Sequence, residues 1–303
     1  MSDRAPSGQQ WTLKAHDQEL VVVQAGGGIR EYRSGGRPLL HGYPVDAKAD
    51  AGRGQHLMPW PNRIRDGKYT YAGKEQQLAL SEPARSNASH GLTRWATWHL
   101  VEQSDDRVVV GCSLLPQQGW DGILELTVTY SIGEDGLTVT PAATNAGRAA
   151  VPFGYGAHPY LTAGEETVDQ LILELPAGTV IDVDDRLIPT GTAPVPAELD
   201  FSTARPIADT QLDHAYTDLR AEDGHWRITV RTDEHATTLW ADADAFGYAQ
   251  AFTGDSLPGG NARRTGVAVE PMTCPANAFN TGEGLIELQP GQTWSASWGV
   301  TGE

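Results

Sequence analysis

Short runs of β-branched and other apolar residues recur along the whole chain, and each is cut off by Gly, Pro, Asn or Asp before a helix of ordinary length could form. The clearest lie at 20–23, 108–115, 123–132, 137–144 and 171–175, then at 226–232, 237–240, 248–253 and 294–300. Residues 124–130 alternate apolar and polar, as a strand with one wet face requires. No window longer than about ten residues carries a clean helical stripe. With 34 Gly and 19 Pro in 303 residues as punctuation, this pattern predicts an all-β sandwich or barrel. The stretch 189–213, rich in Pro, Ala and Thr, reads as the most loop-like and as a candidate domain boundary, but strands of the same texture resume after it. One domain is therefore expected over 11–303, behind a polar tail at 1–10.

Charge narrows the partners. Against 39 Asp and Glu stand only 22 Lys and Arg, a formal net charge of −17. Nucleic-acid binding depends on neutralising phosphates, and anionic headgroups would be repelled, so neither nucleic acid nor a membrane surface is an expected partner. A neutral small molecule suits this surface, and a phosphorylated one requires local reversal of sign. The polar start lacks a signal-peptide core, and no apolar stretch approaches the roughly 18 residues that cross a bilayer. A cytoplasmic protein is expected, with Cys112 and Cys274 as two free thiols, since their spacing matches no zinc or redox pattern.

Four segments break the strand-and-turn texture by gathering polar, rigid and aromatic residues. Residues 59–67, PWPNRIRDG, hold Asn62, Arg63 and Arg65 in a turn stiffened by two prolines and a tryptophan. Arg65 reads as an exposed turn residue, whereas the aromatic setting of Arg63 suits a guanidinium that fixes oxygen substituents. Residues 89–98, SHGLTRWATW, set His90 beside Gly91 and near Trp95 and Trp98. A tryptophan face covers the C–H face of a pyranose while its N–H stays available. Residues 151–161, VPFGYGAHPYL, place His158 between glycines that permit close backbone approach and a proline that restrains the chain. Taken alone, His90 reads more readily as a structural residue than a catalytic one, and for His158 structural packing is an equally good reading.

The fourth segment, 267–280, reads VAVEPMTCPANAFN. Glu270 closes the apolar run Val267-Ala268-Val269, and a carboxylate at the buried end of a strand is costly unless paired or functional. Desolvation raises its pKa, which makes it a general base useful near neutrality. A weaker piece, 212–219 (LDHAYTDL), carries Asp213, His214 and Asp218, all of which read locally as surface residues. There is no glycine-rich phosphate loop, no HExxH and no GxSxG. What remains is acid–base chemistry by His and Glu, with Arg and Trp to hold a polyol.

Taken in order, these pieces resemble the aldose 1-epimerase (galactose mutarotase) family over nearly the full length. The likeness rests on Asn62-Arg63-Ile64, His90-Gly91, His158, the D-H-x-[YF] piece at Asp213, EPMTCPANAFN at Glu270, and the closing IELQPGQTWSASWGV. The resemblance implies a β-supersandwich, with Glu270 as general base, His158 as general acid and His90 assisting at the ring oxygen. Arg63 and Asp213 would hold hydroxyls, with Asn62 and Trp95 completing the sugar site, and neither metal nor cofactor would be required. A monomer or homodimer is expected. Pro159-Tyr160 after the second histidine and Pro271 after the glutamate depart from the best-known galactose mutarotases and suggest a divergent bacterial branch.

Three rivals remain at this level. A hexose-6-phosphate 1-epimerase on the same fold would recruit Arg63, Arg65, Arg85 and Arg94 around the phosphate. A sugar-binding or sensing protein without catalysis would be expected to lack Glu270 or His158, and both are present. A glycoside hydrolase using Asp213 with Glu270 leaves both histidines unexplained.

Overall fold

The computed structural model describes residues 4–257 and 263–303. Strands dominate: among the described residues the one α-helix is Ala278–Thr281, and none is long and apolar enough to cross a membrane. Most strands lie in two antiparallel sheets, one of 12 strands and one of 11, packed into a sandwich. The longest hairpin, Leu124–Gly133 with Gly136–Asn145, buries every second residue along both strands. That period-two alternation puts Leu126, Val128, Tyr130, Leu137 and Val139 into one contiguous core. Tyr216, Ala249, Ala251, Val267 and Val269 enter the same core from the other sheet.

Two expectations need correction. The stretch 189–213 is not a loop: it holds the strands Pro189–Pro194 and Phe201–Pro206 and runs into Asp213–Leu219. Both are the last strands of their sheets, where an unpaired edge tolerates proline and needs no apolar alternation, so the usual strand signals are missing. The run 294–300 is two strands, Thr293–Ser295 and Trp298–Gly302. Ser297 breaks it, its N–H donating to Asp242 Oδ2 at 2.7 Å.

The same alternation fixes the other face of the 12-stranded sheet. On Val267–Met272, Glu270 and Met272 face away from Val267 and Val269, and Gln250 sits directly opposite Glu270 on Tyr248–Phe252. Ala215 lies opposite Gln250 in turn, and it clusters with Ile181 and Met272 in a small second core. Asp213, two residues before Ala215, shares this face.

Behind that face runs a closed chain of buried hydrogen bonds. Trp298 Nε1 donates to the Tyr155 hydroxyl at 2.9 Å, and that hydroxyl contacts His56 Nδ1 at 2.8 Å. His56 Nε2 meets the Tyr130 hydroxyl, which donates to the Gly27 carbonyl. With Nε2 protonated and Nδ1 accepting, each donor in the chain finds an acceptor. The ring is therefore neutral, and burial pushes its pKa down to about 3. Cys112 and Cys274 are buried free thiols. Replacing Tyr155 with Phe strands both the Trp298 N–H and His56 Nδ1. It should destabilise the fold by about 1–3 kcal/mol, read as a lower urea midpoint at unchanged m.

Candidate active site

Two short strands, Arg63–Arg65 and Asn87–Ser89, pair so that Arg63 faces Ser89. The next residue pair, Asn62 and His90, is joined by His90 N–H donating to the Asn62 carbonyl at 2.7 Å. Both lie in the left-handed region, at φ 53° and 61°. Asn accepts that conformation readily and His less so, and such strain collects where function demands a particular placement. Gly91 follows at φ 70°, where an added Cβ would stand 2.0 Å from the Met58 carbonyl oxygen.

His158 is clamped from several sides. Its N–H donates to the Gln55 carbonyl at 3.0 Å, and its own carbonyl accepts from Gly54 N–H at 2.9 Å. Gly52 packs flat on the ring, since a Cβ there would lie 2.5 Å from His158 Cδ2. Tyr160 stacks on the imidazole with ring centres 5.2 Å apart, and the Arg53 guanidinium covers Tyr160 from 4.4 Å. The His90 ring meets His158 edge-on at 5.6 Å.

Glu270 is 3% exposed, and its Oε1 lies 3.2 Å from His158 Nε2. A polar chain extends sideways from this pair. Gln250 Nε2 donates to Asp213 Oδ1 at 2.8 Å, and Gln250 Oε1 accepts from Asn62 Nδ2 at 3.2 Å. Asn62 Oδ1 accepts from Arg63 at 2.9 Å, while the rest of the Arg63 guanidinium forks onto Glu82 at 2.8 and 3.2 Å. Of the buried polar atoms without a partner among the described residues, three belong to this group: His90 Nδ1, His158 Nδ1 and Glu270 Oε2. Unpaired buried polar atoms are rare in folded proteins, and these three line a single pocket.

All the sequence-derived candidates line one pocket of about 530 Å³: Glu270, His158, His90, Arg63, Asn62, Asp213 and Trp95. Trp95 is 55% exposed there, whereas Trp98 is a core residue on Gly27 with no part in the pocket. Arg65 pairs with Asp184 outside the pocket, and exposed Asp218 accepts from Thr179. Asp213, expected at the surface on local grounds, is half-buried and bound to Gln250. Sequence reading missed Gln250, Glu82, Tyr160 and Arg53. Gln250 had a visible signal, a lone amide between alanines in the strand Tyr248–Phe252, while Glu82 sits in a turn with no pattern. No group of three or more potential metal ligands occurs among the described residues.

Burial governs the protons here. It pushes Glu270 up to about 8, helped by Asp213 and opposed by Arg63 and Arg94. It pushes His158 down to about 3, reinforced chiefly by Arg94, and takes His90 well below its ordinary value. The Glu270–His158 pair therefore holds one proton near neutrality, on the carboxyl.

A sequence profile described as aldose 1-epimerase matches residues 9–301. The uncharacterised Escherichia coli K12 protein YihR is 34% identical over 299 residues, which is 98% of this chain and 94% of that one. Among solved structures, a GalM/aldose epimerase homologue from C. elegans superposes with a TM-score of 0.85 at 17% identity, covering 97% of this chain and 99% of its own. Galactose 1-epimerase from Lactobacillus acidophilus gives 0.81 at 20% identity, covering 97% and 94%. At such identities the two structures share the fold.

The shifts set how stability depends on pH. Glu270 is raised above its unfolded value, so its contribution is complete below pH ~4.5 and is lost as pH rises to about 8. His56 and His158 are depressed, so theirs is complete above pH ~6.5 and is lost as pH falls toward 3. Glu270→Gln should therefore gain stability over the wild type on going from pH 5 to pH 8, by roughly 3 kcal/mol. Urea unfolding of both proteins at the two pH values measures this, and parallel curves would place Glu270 in the ordinary carboxylate range.

Proposed function

From the premise that this chain belongs to the aldose 1-epimerase family, we propose that it interconverts the α and β anomers of an aldose with a free C1 hydroxyl. The buried contact between Glu270 and His158, at 3.2 Å in a polar pocket, carries this reading. Ring opening removes one proton from the C1 hydroxyl and delivers one to the ring oxygen O5 while the C1–O5 bond breaks to give the aldehyde. Rotation about C1–C2 and reversal of both transfers closes the other anomer. A base and an acid that hold one proton between them have the proton inventory for this, provided both are positioned.

Glu270 takes the C1 proton and His158 supplies O5 when the pair is in its ionic form. The resting neutral form reaches that state by one transfer across their contact. His90, edge-on to His158, adds a donor or acceptor at O5. Arg63 and Asn62, locked by Glu82 and Gln250, present oxygen-binding groups in fixed geometry, and Asp213 accepts from a hydroxyl. Trp95, exposed at the pocket, offers a flat face to the ring.

Glu270→Gln keeps the size of the side chain and removes its basicity, so turnover should fall at least about a hundredfold while sugar still binds. His158→Asn should behave alike, because an amide donates a hydrogen bond but delivers no proton. Polarimetry on freshly dissolved α-anomers, corrected for spontaneous mutarotation, gives the rates, and calorimetry gives the binding. Near wild-type rates in Glu270→Gln would remove it as the base. In the wild type, kcat/KM should hold through neutrality and decline above about pH 8, where the pair loses its single proton. A rate still rising at pH 9 would contradict that proton count.

A further inference from the structure

The cations of the pocket are not equivalent. Arg63 and Arg85 share the Glu82 carboxylate, at 2.8 and 3.0 Å. Arg65, outside the pocket, is taken by Asp184. Arg94 lines the pocket, and its guanidinium has no hydrogen bond or ion pair among the described residues. Its neighbour in sequence, Trp95, lies under the ammonium of exposed Lys48 at 5.7 Å, and Lys48 likewise has no carboxylate partner among the described residues. The carboxylate whose field reaches Arg94 is that of Glu270, which burial holds in its neutral form. A guanidinium cannot shed its charge, so a cation with five donors is left facing the pocket beside a neutral acid. In a chain of net charge −17, the pocket lining sets Lys48, Arg63, Arg85 and Arg94 against Asp50, Glu82, Asp213 and Glu270, so the acidic excess of the chain is cancelled there.

We infer that the aldose taken by this pocket carries an anionic oxygen-rich group on C6, received by Arg94 with Lys48 beside it. The position follows from the geometry: Gln55 accepts from the His158 N–H through its carbonyl and donates through its side chain to the Arg94 carbonyl, each at 3.0 Å, so Arg94 stands on the His158 side of the pocket, where the acid addresses O5. The exocyclic carbon nearest O5 is C6. One free guanidinium and one ammonium form a small receptor, suited to a carboxylate, sulfate ester or phosphate ester, whose oxygens accept in the plane of the fork. The reaction assigned to the sugar rests on the mutarotase reading, but recognition of the anion does not.

Binding and turnover should be compared for glucose, glucuronate, glucose 6-sulfate and glucose 6-phosphate, in wild type, Arg94→Gln and Lys48→Ala, at low and high salt. At least one anionic sugar should exceed glucose by about tenfold or more in affinity and in kcat/KM, the worth of one charge-assisted hydrogen bond. Which anion leads identifies the group. Arg94→Gln should cut the anionic-to-neutral ratio by about tenfold, and Arg65→Gln, outside the pocket, should leave that ratio alone. Equal binding of neutral and anionic sugars by the wild type overturns the inference. So does an Arg94→Gln variant that slows every sugar equally, since Arg94 would then serve Glu270 rather than the substrate. Arg94-dependent binding of an anionic sugar without any anomer interconversion would sustain the inference and overturn the mutarotase reading. Turnover of all sugars without preference would do the reverse.

Discussion

Taking a carboxyl group and an imidazole out of water together is costly if both are charged and much less so if one proton keeps the pair neutral. Glu270 and His158 satisfy that constraint at 3.2 Å, and much of the architecture holds them there. The strand Val267–Met272 lies inside the 12-stranded sheet with both faces covered, so Glu270 has little room to reach solvent. His158 has Gly52 on one side of its ring, Tyr160 stacked on it and its backbone pinned to Gly54 and Gln55. Removing freedom from both partners makes the proton count, rather than side-chain motion, the variable that substrate can change.

A second buried histidine shows what an inert version of the same physics looks like. His56, one residue beyond the Gln55 that anchors His158, is pushed down to about 3 as well. Both of its ring nitrogens are occupied by tyrosine hydroxyls, and the chain continues to Trp298 and Gly27. His158 keeps Nδ1 unpartnered, and so does its neighbour His90. Burial and a lowered pKa are common to both sites; unused hydrogen-bonding capacity separates the working layer from the supporting one.

Much of this was legible in the residues. Glu270 announced itself as a carboxylate ending an apolar run, and Gly156 and Pro159 around His158 signalled a histidine held in place. The strands of the two-sheet core were visible because one wet face imposes alternation. The edge strands within 189–213 were not, because an edge requires neither alternation nor an unbroken row of N–H donors. Glu82 escaped for another reason: it acts on side chains that are close in space and remote in sequence, and nothing at its own position demands an acid, whereas Gln250 stood out only as a lone amide between alanines. The pairing of Arg63 and Arg85 on Glu82, which leaves Arg94 unneutralised, likewise exists only after folding.

Those edge strands have a consequence beyond the site. An open sheet ends in backbone donors and acceptors that can template pairing with another chain, and a sandwich of two large sheets multiplies that hazard. Pro189–Pro194 bears a proline at each end and is largely exposed, and Phe201–Pro206 terminates in one. A proline offers no N–H, so an incoming strand finds the ladder interrupted at the places where it would begin to zip. The segment that looks least like structure in the sequence thus blunts one edge of each large sheet against pairing with another chain.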